Sequence, residues 1–186
     1  MTTAEQGWSG QSDGAVAATA RLVVPDADDM RDLGRRLARL LRAGDLVVLT
    51  GELGAGKTTL AQGIGEGLSV RGQVTSPTFV IAREHPSTVG GPPLVHVDAY
   101  RLGGFDELEG LDLEASLEEA VTLVEWGEGL VEPLTEDRLE VRLHRPTGGE
   151  RVDGDGDAEP RTVEIHGVGD RWASVSLPSA TGGAGY

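Results

Sequence analysis

Apolar residues fall in short runs along the chain, and the spacing within each run separates helices from strands. "RLVV" (Arg21–Val24) reads as a short strand. Asp26 can then cap a helix in which Met30, Leu33, Leu37, Leu40 and Leu41 recur at helical spacing as far as Gly44. "DLVVLT" (Asp45–Thr50) is a continuous apolar run of the length of a buried strand, and it leads into a glycine-rich stretch. "KTTLAQGIGEGL" follows, with Leu60, Ile64 and Leu68 on one face of a helix that its three glycines weaken. "PLVHVDAY" and "VTLVEW" are two further buried-strand candidates, each running into a carboxylate, Asp98 and Glu125. Beyond them "RLEVRLHR", "RTVEIHG" and "WASVSL" alternate apolar and polar positions, as half-exposed antiparallel strands do. The pattern predicts an α/β domain in three layers, with a mainly parallel central sheet and antiparallel strands at its C-terminal end.

Three stretches lack periodicity. Residues 1–20, the Asp- and Gly-rich segment 146–160 and residues 178–186 cannot bury enough apolar surface to offset the entropy of ordering. The expectation is one domain over residues 21–177, carrying a flexible insertion at 146–160 between disordered tails. With 186 residues the chain suffices for one proper core. It has no cysteine, which excludes a disulfide framework, a thiolate metal site and a cysteine nucleophile. No apolar run of about 18 residues is present, and the first twenty residues do not read as a secretory signal, so a soluble cytoplasmic protein is expected. The net charge of −15 argues against direct binding of tRNA or other nucleic acid, whose phosphates reward Lys and Arg. Any role near nucleic acid would run through a partner.

The glycine-rich stretch carries the chemistry. "GELGAGKT" (Gly51–Thr58) fits G-x-x-x-x-G-K-(S/T), the phosphate-binding loop, and lies between a buried strand and a helix as that mechanism requires. Gly51, Gly54 and Gly56 permit a tight loop, so that backbone N–H groups from Leu53 through Ala55 and beyond can converge on phosphate oxygens. The start of the next helix adds positive dipole. Lys57 is the single lysine of the chain, whose other 15 of 16 basic residues are arginine. A compact ammonium on a flexible stem can curl back over the loop to the β and γ phosphates, which a planar guanidinium does not match. Thr58 offers a hydroxyl to Mg2+, and Thr59 lies near the α phosphate. Hydrolysis further requires a strand-end carboxylate for the metal and a group that positions water. Asp98 and Glu125 compete for these tasks, and spacing alone does not separate them. The chain has no second lysine for the guanine-reading N-K-x-D, which favours ATP by elimination.

The ordered set "GELGAGKTT", "SPTF" (Ser76–Phe79), "HVDAYRL" (His96–Leu102), "ELEGLDL" (Glu107–Leu113) and "VEWGE" (Val124–Glu128) resembles the TsaE family, the small bacterial ATPases of tRNA threonylcarbamoyladenosine synthesis. The resemblance covers roughly Pro25 to Glu128. It implies a P-loop NTPase-like domain in which Lys57, Thr58 and Thr59 hold ATP and Mg2+, Glu125 is the acidic partner of the metal, and Asp98 sits by the γ phosphate and assists hydrolysis. It also implies a "SPTF" loop that changes with nucleotide state, and action with the proteins TsaB and TsaD, which attach the threonylcarbamoyl group. An arginine late in the chain often approaches the nucleotide in this family, and Arg161 is the candidate. The chain departs from the family pattern at Ala99, where leucine is usual, at Gly127, where proline is usual, and at Met30, where a hydroxyl residue is common.

Two other functions remain open at this level. A small-molecule or nucleoside kinase would need an acceptor pocket, and a nucleotide-dependent assembly module would bind ATP without hydrolysing it. His96 reads first as a structural histidine and Trp126 as a packing residue. Tyr100 and Arg101 could form an interface pair or a local contact.

Overall fold

The computed structural model describes residues 14–77, 81–110, 113, 117–146 and 159–179. Seven strands form one sheet: β1 (Val16–Val24), β2 (Leu46–Gly51), β3 (Ala82–His85), β4 (Leu94–Asp98), β5 (Val121–Glu125), β6 (Arg138–His144) and β7 (Arg161–Val168). Among the described residues there are helices α1 (Ala27–Ala38), α2 (Lys57–Gly67) and α3 (Phe105–Glu109), and short 3-10 turns at Glu132–Leu134 and Asp170–Trp172.

The strand order is β1-β7-β6-β2-β5-β4-β3. The four central strands β6, β2, β5 and β4 are mutually parallel, and β1, β7 and β3 are antiparallel to their neighbours. The α/β architecture with a mainly parallel core is therefore as expected, with antiparallel strands at both edges. Strand β6, read from its alternation as antiparallel, pairs parallel to β2 and antiparallel to β7.

The central strands are buried on both faces, and β2 is a nearly continuous apolar run for that reason. Val47 and Leu49 of β2 enter one core with Leu33 and Leu37 of α1 and Leu60 and Ile64 of α2. Leu46 and Val48, on the opposite face, join Val95, Val97, Val124, Leu113 and Val131 in a second core.

Helix α1 begins where the sequence places it. The Asp26 carboxylate accepts the Asp29 N–H at 2.9 Å, satisfying one of the free donors of the first turn. The helix ends at Ala38 rather than near Gly44, and Leu40 and Leu41 close tight turns by donating to the carbonyls of Leu37 and Ala38. The glycines that should weaken α2 are used for close approach. A Cβ on Gly34 of α1 would stand 2.5 Å from the Leu60 carbonyl oxygen, and one on Gly63 would strike the Arg31 backbone. The two helices touch backbone to backbone there, which offsets the low helix propensity of glycine.

Two sequence expectations are corrected. "WASVSL" is not a strand: Trp172 closes a 3-10 turn and is fully buried, and no strand follows it among the described residues. Strand β1 starts at Val16, so residues 16–20 belong to the sheet and not to a tail. The reasons are linked, because β7 pairs with β6 on one side and β1 on the other, leaving β7 no free edge for the segment that follows it. Most of segment 146–160 and of both tails lies outside the described residues, as do Thr78 and Phe79 of "SPTF".

Candidate functional site

The carboxyl ends of β2, β5 and β4 point to one edge of the sheet, where open α/β sheets place their ligands. β2 runs out at Gly51 and α2 starts at Lys57, with Gly54 at φ +76° and Gly56 at φ +107° between them. Both angles are strained for any residue with a Cβ, so the loop depends on its glycines. Beside it opens a cavity of about 590 Å³ lined by Leu53, Gly54, Gly56, Lys57, Thr58, Thr59, Ser76, Asp98, Tyr100, Arg101, Glu125 and Trp126.

Lys57 curls back over the loop that precedes it. Its ammonium donates to the carbonyls of Gly51 at 2.7 Å and Glu52 at 2.9 Å, and lies 4.1 Å from the centre of the Trp126 ring. Burial holds its pKa below the ordinary lysine value, and the nearby charges of Glu125 and Asp98 oppose that shift.

The two carboxylates that spacing could not separate are direct cross-strand neighbours, since Asp98 of β4 registers against Glu125 of β5. Both are buried. Their surroundings differ. Asp98 faces the cavity with Oδ1 accepting the Tyr100 N–H at 3.0 Å and Oδ2 accepting the Ser76 hydroxyl at 3.4 Å. Glu125 Oε1 accepts from His96 Nε2 at 2.8 Å and stands 3.5 Å from the Thr58 hydroxyl, the outer limit of hydrogen-bond reach. Glu125 is thus the carboxylate beside the loop threonine, and Asp98 the one beside Ser76.

A comparison with protein families adds to this geometry. The family model described as "Threonylcarbamoyl adenosine biosynthesis protein TsaE" matches residues 24–152. The chain belongs to the TsaE family. That family takes part in tRNA threonylcarbamoyladenosine biosynthesis, a tRNA-processing pathway. The TsaE protein of Streptomyces coelicolor is 64% identical over 154 residues, covering 82% of this chain and all of the relative. That of Bacillus subtilis is 38% identical over 125 residues, covering 67% of this chain and 77% of the relative. Among solved structures, Bacillus subtilis YdiB superposes with a TM-score of 0.63 at 29% identity, covering 83% of this chain and 89% of that one.

Of the site residues expected from sequence, the TsaE fold brings Leu53, Gly54, Gly56, Lys57, Thr58, Thr59, Asp98 and Glu125 to the one cavity. Gly51 and Ala55 do not line it: Gly51 ends β2 and Ala55 is buried within the loop. Arg161, at the start of β7, lines a separate cavity of about 130 Å³ with Met30, Gly54, Ala55, Gly56 and Thr59, and its guanidinium donates to the Glu159 carbonyl at 2.6 Å. A second late arginine was not anticipated. Arg145, just past β6, lies so near the loop that a Cβ on Gly54 would be 3.7 Å from its Nη1.

Trp126 is likewise more than packing, since it forms a wall of the cavity at φ +62° and its ring lies 5.1 Å from that of Tyr100. The sequence signal was the run W-G directly after a strand-end acid. Among the described residues, no helix is long and apolar enough to cross a membrane.

Proposed function

We propose that this TsaE-family chain binds ATP with Mg2+ and hydrolyses it in the cytoplasm in support of tRNA threonylcarbamoyladenosine formation. It acts with TsaB and TsaD, supporting turnover of their complex, and meets tRNA only through them, in keeping with its acidic charge. One observation carries the reading: Lys57, folded back over a glycine loop, stands beside two buried carboxylates in register on adjacent strands.

The donor set suits magnesium held together with a nucleotide. Among the described residues no group of three or more His, Asp or Glu could hold a metal unaided. Magnesium typically takes one or two protein oxygens and fills its shell with water and phosphate. Thr58 and Glu125 would supply those protein oxygens. When bound, the ion neutralises charge on the β and γ phosphates.

The chain's own residues do the rest. The loop N–H groups and the start of α2 hold the phosphates in place, and the Lys57 ammonium exchanges its carbonyl partners for phosphate oxygens. Asp98 orients water toward the γ phosphorus and receives its proton as the bond to the leaving ADP oxygen breaks. Tyr100 and Trp126 wall this side of the cavity.

The test is phosphate release from ATP and from GTP, by the chain alone and with TsaB and TsaD. Weak hydrolysis, selective for ATP and raised by the partners, is expected. Asp98→Asn should retain ATP binding and lose roughly 10²–10⁴-fold in rate. Equal activity toward both nucleotides, or indifference to the partners and to Asp98→Asn, would overturn the reading.

A further inference from the structure

His96 is fully buried on β4, two residues before Asp98 and on the same face of the sheet. Its Nε2 stands 2.8 Å from Glu125 Oε1, while Nδ1 is buried with no hydrogen-bond partner. That asymmetry fixes the ring's state. A proton on Nδ1 would be a buried donor with no acceptor, whereas a neutral ring protonated on Nε2 leaves only an unused lone pair. The donated bond therefore runs from Nε2–H to Glu125 Oε1. The Thr58 hydroxyl approaches the same oxygen at 3.5 Å, and Oε2 has no hydrogen bond among the described residues.

Resting on the proposed Mg2+-dependent nucleotide site, we infer that His96 is a positioning residue for the Glu125 carboxylate. It fixes one oxygen from inside the sheet, so that the other is presented to the metal and the rotamer is set before nucleotide arrives. A carboxylate on a free torsion would lose that torsion on each binding event. Partners of this kind, one bond behind a metal ligand, typically govern metal affinity by 10–100-fold.

A merely space-filling histidine makes a different prediction, and two polar replacements separate them. In His96→Gln the side-chain amide nitrogen falls near the position of Nε2 and can still donate to Glu125. In His96→Asn the amide ends near Nδ1 and falls short.

The experiment is binding of a fluorescent ATP analogue to the full chain over a range of Mg2+ concentrations, with an EDTA control and a melting curve for each variant. The expected result is that His96→Asn needs about tenfold more Mg2+ for half-maximal binding, with His96→Gln within about threefold of wild type. Metal-free affinity should be equal in all three proteins.

Identical Mg2+ dependence in the three proteins would overturn the inference. Equal impairment of both variants, or a loss in metal-free affinity that accounts for the change, would also overturn it, since either marks a structural role. Should the wild type show no Mg2+-dependent nucleotide binding, the functional reading beneath the inference falls as well. Intact wild-type binding that ignores position 96 removes the inference alone.

Discussion

The indole of Trp126 lies over the ammonium of Lys57, 4.1 Å from ring centre to Nζ. A cation in this position is stabilised by roughly 0.5–2 kcal/mol, toward the upper end where it is buried, as Lys57 is. The ring reaches it because Trp126 adopts φ +62°, a left-handed conformation that costs a non-glycine residue about 1–2 kcal/mol. The Trp126 N–H donates to the Leu49 carbonyl at 3.0 Å, tying the strained residue to β2. Strain of this kind gathers at functional sites. Phosphate arriving at Lys57 competes with the indole for the same charge, so the ring's surroundings must change on binding.

Tryptophan emission should therefore report nucleotide. The chain has three tryptophans, and Trp172 is buried at the far end of β7. Titration with ATP and Mg2+ should change the emission of wild type and leave Trp126→Phe nearly silent. An unchanged signal in Trp126→Phe would mean that the indole does not follow Lys57.

The preference for lysine at position 57 can be tested directly. Lys57→Arg keeps the charge but places a planar fork where a compact ammonium reaches two carbonyls 2.7 and 2.9 Å away. Nucleotide affinity should fall by about tenfold or more, equivalent to about 1.4 kcal/mol, with an unchanged melting temperature. Calorimetric titration with ATP on both proteins checks this, and equal affinities would show that charge alone suffices.

The phosphate loop was legible because its parts are contiguous: strand, glycines, lysine and helix follow one another within 22 residues, Leu46–Gly67. The strand-end acids were legible as a pair of candidates, but their adjacency was not. It depends on β4 and β5 pairing in parallel across a long connection, which local pattern does not encode. The position of Trp126 turns on one backbone angle, and no periodicity signals that. At the other edge of the sheet, "VAATA" is mostly alanine, which is depleted in strands, so it reads as a tail. It is held by ladder bonds to β7 instead. "WASVSL" alternates well yet finds no partner, since β1 already occupies that place.

The glycine contact between α1 and α2 gives a stability prediction separate from the site. A methyl group at Gly34 would stand 2.5 Å from the Leu60 carbonyl oxygen and 2.7 Å from the Ile64 nitrogen. Backbone cannot swing aside as a side chain does, so the helices must separate. Gly34→Ala should lose about 1–3 kcal/mol in denaturant unfolding, although alanine is the better helix former. Unchanged or raised stability would show that the helices slide without loss of packing.

His85 supplies a pH dependence. It is buried on β3, bonded to the backbone of Arg71, with Nε2 lacking a partner. Burial is the first cause that lowers its pKa below the ordinary 6.5, the Arg71 bond opposes it, and the nearby charge of Arg83 adds to the lowering. Protonation would place a second buried N–H where nothing accepts it. As pH falls through 6.5, the unfolded chain takes up a proton that the folded chain refuses, so this residue removes stability progressively down to its folded pKa. Above 6.5 it has no effect of this kind. His85→Phe fills similar space without titrating, so its stability should decline less steeply below pH 6.5, while both proteins run parallel from pH 7 to 8. Urea unfolding at half-unit steps measures the difference, and parallel curves across the whole range would mean that His85 accepts its proton in the fold.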